Sequence, residues 1–271
     1  VQKLRIQYAK RGRLRFTSHR DIARAFERAL RRAEVPMAYS AGFSPHPKIS
    51  WVGAAPTGVA SEAEYVEISV VRRLEPAALR TALDESLPVG IDVTDVVEAP
   101  VGTSLPDRVQ ASEWHIVLPS VPVAAAEAAV AVFLAQDRVE VERLVKAGVR
   151  VLDARDPVRR AWVSGAAGSA DGSGDCATLH LVVQHVTPAV RPDDVLAGLR
   201  LVAALQTPVP PQATRVRQGP LTESGEVGDP LAPDRVSAPA DPAGATRRDA
   251  GLAEPLSGAA AGAQQTSEAH T

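Results

Sequence analysis

Hydrophobic and polar positions change period several times along the chain, and each change marks an element. Lys3–Ala9 alternates with period two and reads as a strand. A Lys10-Arg11-Gly12 turn follows, then Leu14–Thr17 as a short second strand. From Ser18 the period becomes 3.6. Ile22, Phe26, Ala29, Leu30 and Ala33 fall on one side of a helix, while Arg20, Arg24, Arg28 and Arg31 gather on the other, interrupted only by Glu27. Ser18 stands at the N-cap, and Asp21 three residues later completes a capping-box pattern. Lys48–Val52 and Glu64–Val71 read as further strands, Pro76–Leu87 as a helix and Ile91–Glu98 as a strand. With the first hairpin set aside, the order is β-α-β-β-α-β, the ferredoxin-like pattern.

A second pass has a similar order. Glu113–Leu118 reads as a strand and Val123–Ala135 as an alanine-rich helix. Val139–Val145 and Val149–Asp153 are strands about a Lys-Ala-Gly turn, followed by strand-like Arg159–Val163 and Thr178–His185. A Gly/Ser/Ala loop over 164–175 separates the last two, Asp193–Leu205 is a helix, and Thr214–Gln218 is a short final strand. The expectation is an α+β chain of two ferredoxin-like domains in tandem: residues 1–99, a linker at 100–112, and residues 113–221. From Thr222 the chain has no aromatics and is rich in Ala, Gly, Pro and Ser. Such a composition cannot offset chain entropy by burial, so 222–271 is expected to be a disordered tail.

After the basic helix the chain enters a stiff loop. Gly42 permits a positive φ, and Pro45 and Pro47 each fix φ, which holds Ser44 and His46 in extended geometry. The loop presents Phe43, His46 and Lys48. Four stretches carry a family resemblance: Phe16-Thr-Ser-His-Arg-Asp21, Phe26-Glu-Arg-Ala-Leu-Arg-Arg32, Gly42-Phe-Ser-Pro-His-Pro-Lys48 and Gly58-Val-Ala-Ser-Glu-Ala-Glu-Tyr65. Together they resemble the radical-SAM-linked proteins, a domain of unknown function that occurs alone or fused behind a radical SAM enzyme. The motifs cover the first quarter of the chain. Arg20 stands where that pattern has an apolar residue, and Ser44 where it has Asn. The resemblance implies a radical SAM protein as partner and supplies no reaction.

Charge sharpens the picture. The chain as a whole carries −2, but residues 1–50 hold twelve Lys/Arg against three Asp/Glu, a net +9, which leaves −11 on the remainder. A basic head of this kind points to a polyanionic partner. Cys176 is the only cysteine, so the three thiolates of a radical SAM cluster cannot come from this chain. No cofactor is expected here; an iron–sulfur cluster and S-adenosylmethionine are expected only in the partner enzyme. The sequence has no apolar run long enough to span a bilayer and no signal-peptide core, so a cytoplasmic protein without membrane contact is expected.

Candidate chemistry concentrates in the same head. His19 at a helix N-terminus suits anion binding, and His46 is directed by its two prolines. His19, His46, Asp21, Glu62 and Glu64 show no ligand spacing typical of zinc, and His115, His180 and His185 read as ordinary sheet residues. Interleaved aromatics (Phe16, Tyr39, Phe43, Trp51 and Tyr65, with Phe26 in the core) and arginines suit single-stranded RNA. Two functions follow. One is a noncatalytic accessory or substrate-presenting partner that binds RNA through Arg20, Arg24, Arg28, Arg31, Phe43, His46 and Lys48. The other is a metal-independent endoribonuclease resembling CRISPR repeat-processing proteins, with His46 or His19 as acid or base and Lys48 stabilising phosphorane charge. A third possibility, that the arginines pair with carboxylates of the acidic second half, makes them structural.

Overall fold

The computed structural model describes residues 1–146, 148–165 and 176–236. Its centre is a mixed sheet to which both halves of the chain contribute. The first half supplies β1 (Gln2–Lys10), α1 (His19–Arg32), β2 (Ile49–Val52), β3 (Ala60–Val70), α2 (Pro76–Ser86) and β4 (Ile91–Glu98). The second supplies β5 (Ala111–Pro119), α3 (Val123–Leu134), the hairpin β6 (Glu140–Val145) and β7 (Gly148–Asp153), β8 (Val158–Gly165), β9 (Cys176–Gln184), α4 (Pro192–Ala203) and β10 (Gln212–Gly219). A short α5 (Ala232–Val236) ends the described chain.

Sheet order is β4-β1-β3-β10-β5-β9-β8, with β2 also paired to β3. All neighbours are antiparallel except β3 and β10, which run parallel. The edge of β3 is shared. Its C-terminal part, Tyr65 to Ile68, pairs with β2, and its N-terminal part pairs with β10 through Ala60↔Thr214 and Ser61↔Arg215. The strand expected over 214–218 as a late, short addition is therefore the one that joins the two halves. It is longer than expected because Gln212 and Ala213 at one end and Gly219 at the other also pair with β5.

The alternation read from sequence sorts the sheet into two faces. Leu4, Ile6 and Tyr8 of β1, with Val66, Ile68 and Val70 of β3, meet Ile22, Phe26, Ala29 and Leu30 of α1 and Leu79 and Leu83 of α2 in one core. Trp114, Ile116 and Leu118 of β5, with Leu179 and Leu181 of β9, meet Ala126, Val130 and Phe133 of α3 and Val195 and Leu199 of α4 in a second. Gly198 allows the two helices of that core to close, since a Cβ there would lie 2.9 Å from the Phe133 ring. Arg215 touches both Glu64 and Trp114, so α1 to α4 cover the same face.

Three expectations are corrected. Leu14–Thr17 is not a strand: Gly12–Phe16 forms a 3-10 turn, and Leu14 folds back against the first core. The stretch expected as a linker at 100–112 is packed, with Leu105 fully buried and Val109 buried beside Tyr65 and Val97. The tail expected from 222 is folded as far as Val236; the rest of that expectation lies outside the described residues, as does most of the Gly/Ser/Ala loop. Residues 219–228 form a tight hairpin, with Gly228 donating to the Pro220 carbonyl at 2.8 Å. A Cβ on Gly219 would meet the Gly228 carbonyl oxygen at 2.1 Å, so the hairpin requires glycine there.

This C-terminal arm crosses the face without helices. Val227 packs on Ala111 and Val182, and Leu231 on Tyr65, Val97, Leu105 and Val109. Asp234 anchors it: its carboxylate accepts from Arg5 Nη1 at 2.7 Å and from Arg108 Nη1 at 2.9 Å. Arg5 has no exposure, and its other hydrogens go to Glu67 and to Thr103. Composition misjudged the arm because one leucine and one aspartate, aimed at a prepared site, outweigh many alanines. Asp234→Ala leaves the Arg5 charge buried with one partner fewer and should cost about 3 kcal/mol. Ending the chain at residue 221 should cost more, since Val227 and Leu231 are lost as well. Denaturant unfolding of both variants checks this; a midpoint like that of the full chain would show the arm to be dispensable.

Candidate functional site

The basic helix starts where the sequence places it. Ser18 is the N-cap, with extended backbone and its hydroxyl oxygen accepting from Asp21 N–H at 3.3 Å. His19 opens the helix with its ring edge-on to Trp51 at 5.0 Å, and Trp51 is in turn edge-on to Phe26 and Tyr8. His19 and Trp51 thus belong to an aromatic cluster that seats the helix entry on the core.

Opposite the core, Arg20, Arg24, Arg28 and Arg31 are exposed. Arg24 lies 3.6 Å from Asp21, a surface pair worth a few tenths of a kcal/mol. Arg20, Arg28 and Arg31 have no ion pair among the described residues. Many other arginines of the fold are spent on carboxylates. Arg11 holds Glu62 and Asp92, Arg73 holds Glu98, Arg143 holds Asp194, and Arg235 holds Asp95 and Asp229. Hydrogen bonds to Glu62 raise the Arg11 pKa further above its ordinary range.

The loop after α1 is stiff at its base and open at its tip. Lys48 N–H donates to Ala38 at 2.8 Å, Ser40 N–H to His46 at 2.8 Å, and the Ser40 hydroxyl accepts from His46 N–H at 3.0 Å. Gly42 takes φ +129 at the tip, and Phe43 beside it is wholly exposed. Phe16 and Tyr39 are exposed as well, the former under the Arg15 guanidinium at 4.7 Å. His46 is exposed, its side chain has no hydrogen-bond partner among the described residues, and it makes no ring contact with His19. Lys48 does not join the arginine face. Ile49 and Trp51 pack on the α1 core, and Lys48, opposite Ser69, alternates to the other side of the sheet.

A second constellation, which sequence reading missed, lies where the halves meet. After two paired residues β3 and β10 diverge, and the Gln218 amide bridges the wedge to the carbonyls of Ala63 and Gly53. Gly53 has φ +57, and a Cβ there would lie 2.4 Å from Gln218 Oε1. Behind it, Arg215 Nη2 is hydrogen-bonded to Glu64 Oε1, Glu64 Oε2 accepts from Ala55 N–H at 3.0 Å, and Lys10 Nζ donates to Pro56 at 3.2 Å. Lys10, Glu64 and Arg215 are each nearly inaccessible. Burial pushes the Lys10 pKa down against the pull of Glu64, and burial beside Glu64 pushes the Tyr8 pKa well up. Lys10 and Glu64 give some signal in the sequence, as charges on the core-facing side of apolar strands; Arg215 gives none.

On the helix-covered side this wedge opens into a cavity of about 420 Å³. Trp114, Ser112 and Arg215 form its floor, with Pro56 and Val190 on the walls. His185 closes one end. Its Nδ1 donates to the Val109 carbonyl at 3.0 Å, so Nε2 is the acceptor for the Ser112 hydroxyl at 2.7 Å. Ser112 is buried, so the pair fixes the strand and loop rather than presenting a nucleophile. Among the described residues no three of His, Cys, Asp and Glu converge to hold a metal, and no helix is long and apolar enough to cross a membrane.

The model of one protein family matches residues 3–192 of the chain. That family is described as an uncharacterized protein conserved in bacteria, DUF2344. The chain belongs to this family. The match runs from β1 to the first residue of α4 and so includes α1, the 39–48 loop and the loop over 53–59; β10 and the C-terminal arm lie beyond it. A search of curated proteins gave no match.

Desolvation lowers the pKa of His185, with the Arg215 charge acting the same way against the bond to Val109. A folded-state value below the unfolded one means that neutral His185 stabilises the fold. That contribution is complete above about pH 6.5, the unfolded value, and fades as pH falls through the folded value. Wild-type protein should therefore lose more unfolding free energy between pH 7.5 and pH 5 than His185→Gln. Equal losses, measured by urea titration, would show that His185 is not desolvated.

Proposed function

We propose that this protein is a noncatalytic RNA-binding accessory or substrate-presenting factor, gripping single-stranded RNA with the outer face of α1 and the 39–48 loop. One observation carries the reading: Arg20, Arg28 and Arg31 stand exposed on one helix face without ion pairs among the described residues, whereas the buried arginines Arg5 and Arg215 are each held by carboxylates. Three or four guanidinium groups along one helix face match the spacing of a phosphodiester strand, and exposed Phe16, Tyr39 and Phe43 beside them offer faces for bases. The structural alternative, arginines held by the acidic second half, has no such contact in its favour. The partner follows from the resemblance to radical-SAM-linked proteins: a radical SAM enzyme that acts on the bound RNA and supplies the cluster and S-adenosylmethionine. The same antiparallel strand order in each half, with the fourth strand beside the first, supports reading them as two ferredoxin-like units fused edge to edge.

Each phosphate contact to a single strand contributes about −0.7 to the log–log dependence of affinity on salt. Four arginines predict a slope of roughly −3. Changing Arg24 and Arg28 to Gln should flatten it by about one to one and a half units and leave stability within about 0.5 kcal/mol. His46→Ala should leave the slope unchanged. The check is fluorescence anisotropy of a labelled oligoribonucleotide from 50 to 300 mM salt. Binding that ignores salt, or no binding at the lowest salt, would retire the RNA reading.

A further inference from the structure

The wedge between β3 and β10 carries more positive charge than its surroundings neutralise. Two buried cations, Lys10 and Arg215, face one buried carboxylate, Glu64. Lys10 gives a single hydrogen bond, to the Pro56 carbonyl, which leaves two ammonium hydrogens without a protein acceptor among the described residues. At the rim, Arg191 is exposed and has no acidic partner there, because the nearby Asp194 carboxylate is held by Arg143 and by the Arg191 backbone N–H. Arg215 and Arg191 line the cavity, Lys10 stands behind its Pro56 wall, and among the described residues no Asp or Glu lines it. Excess buried charge is costly unless a counter-charge meets it, so the site favours an anion. Its remaining wall, made by Pro56, Val183 and Val190, is apolar and suits a carbon body.

We propose that the cavity of about 420 Å³ at the seam binds a small organic anion, a ring-sized body carrying one phosphate or carboxylate group, with that group at Arg215 and Arg191. The site is separate from the RNA-gripping face. It lies between the loop over 53–56 and the loop over 185–191, and it stands or falls without reference to α1.

Calorimetric titration and thermal unfolding of the full chain at low salt test it, with uridine monophosphate, orotate and uridine as probes. At least one of the two anions should bind and raise the melting temperature, as any ligand of the native state must. Uridine should bind at least ten-fold more weakly. The tighter anion identifies the group: uridine monophosphate for phosphate, orotate for carboxylate. Arg191→Ala removes an exposed side chain and should weaken binding at least ten-fold without changing the melting temperature of the free protein. Ala54→Trp, on the exposed wall, should fill the cavity and abolish binding. The Arg24→Gln/Arg28→Gln protein should bind as the wild type does, which separates this proposal from the RNA reading. Failure of both anions to bind at millimolar concentration would overturn the proposal, as would uridine binding equal to theirs or binding indifferent to both cavity variants.

Discussion

The fold depends on a very short contact: two residues of β3 paired with two of β10, reinforced by the buried Glu64–Arg215 pair. Two backbone pairings alone would not hold two half-sheets together. The ion pair fixes where the halves meet, because any other docking that kept this junction buried would leave a carboxylate or a guanidinium without its partner, at several kcal/mol. Placing Arg215 over Trp114 ties the second core to the same junction. The cost of this arrangement is geometric. Past Ser61 the strands splay, and side chains rather than backbone fill the gap, Gln218 above all. A cavity with a charged floor is what such a filling leaves behind.

The opposite face of the sheet solves a different problem. Ala63, Tyr65 and Val97 form an apolar surface on the side away from α1 to α4, and Arg5 stands within it. The C-terminal arm supplies both an apolar cover, through Leu231, and a counter-charge, through Asp234. Because Asp234 also takes a hydrogen bond from Arg108, one side chain closes the segment between the halves, the first strand and the arm into a single network. The first strand is therefore completed by residues more than two hundred positions away.

What was legible in the sequence follows from range. The faces of α1, its Ser18 cap and the alternation of β1, β3, β5 and β9 are local patterns, and each is present with boundaries moved by a few residues. The arginine face of α1 was legible for the same reason, since helical spacing alone separates Ile22, Phe26 and Leu30 from Arg20, Arg24 and Arg28. Lys48 was misassigned to that group because its side is set by the register of β2 on β3, a pairing between segments that composition does not encode. The seam was hidden for a stronger reason. Arg215 reads as a surface charge, and Lys10 and Glu64 as isolated charges on apolar strands, until strands far apart in sequence bring them together, and Ser112 with His185 is the same case. The arm was misread because a composition argument averages over residues, whereas docking depends on a few of them.

Charge is thus used in two ways. Inside and along the back of the sheet, carboxylates and guanidinium groups neutralise one another in networks that hold the halves and the arm. Along α1 they do not: Arg20, Arg28 and Arg31 have no carboxylate partner among the described residues, and Arg24 has only the distant Asp21. The central claim is that this face, and not the paired interior, meets RNA. Ultraviolet crosslinking of a single-stranded oligoribonucleotide to the full chain, with the crosslinked peptides mapped by mass spectrometry, tests it most directly. The account predicts crosslinks confined to residues 13–48, chiefly at Phe16, Tyr39 and Phe43; crosslinks on the strands of the second half, with 13–48 unmarked, would contradict it.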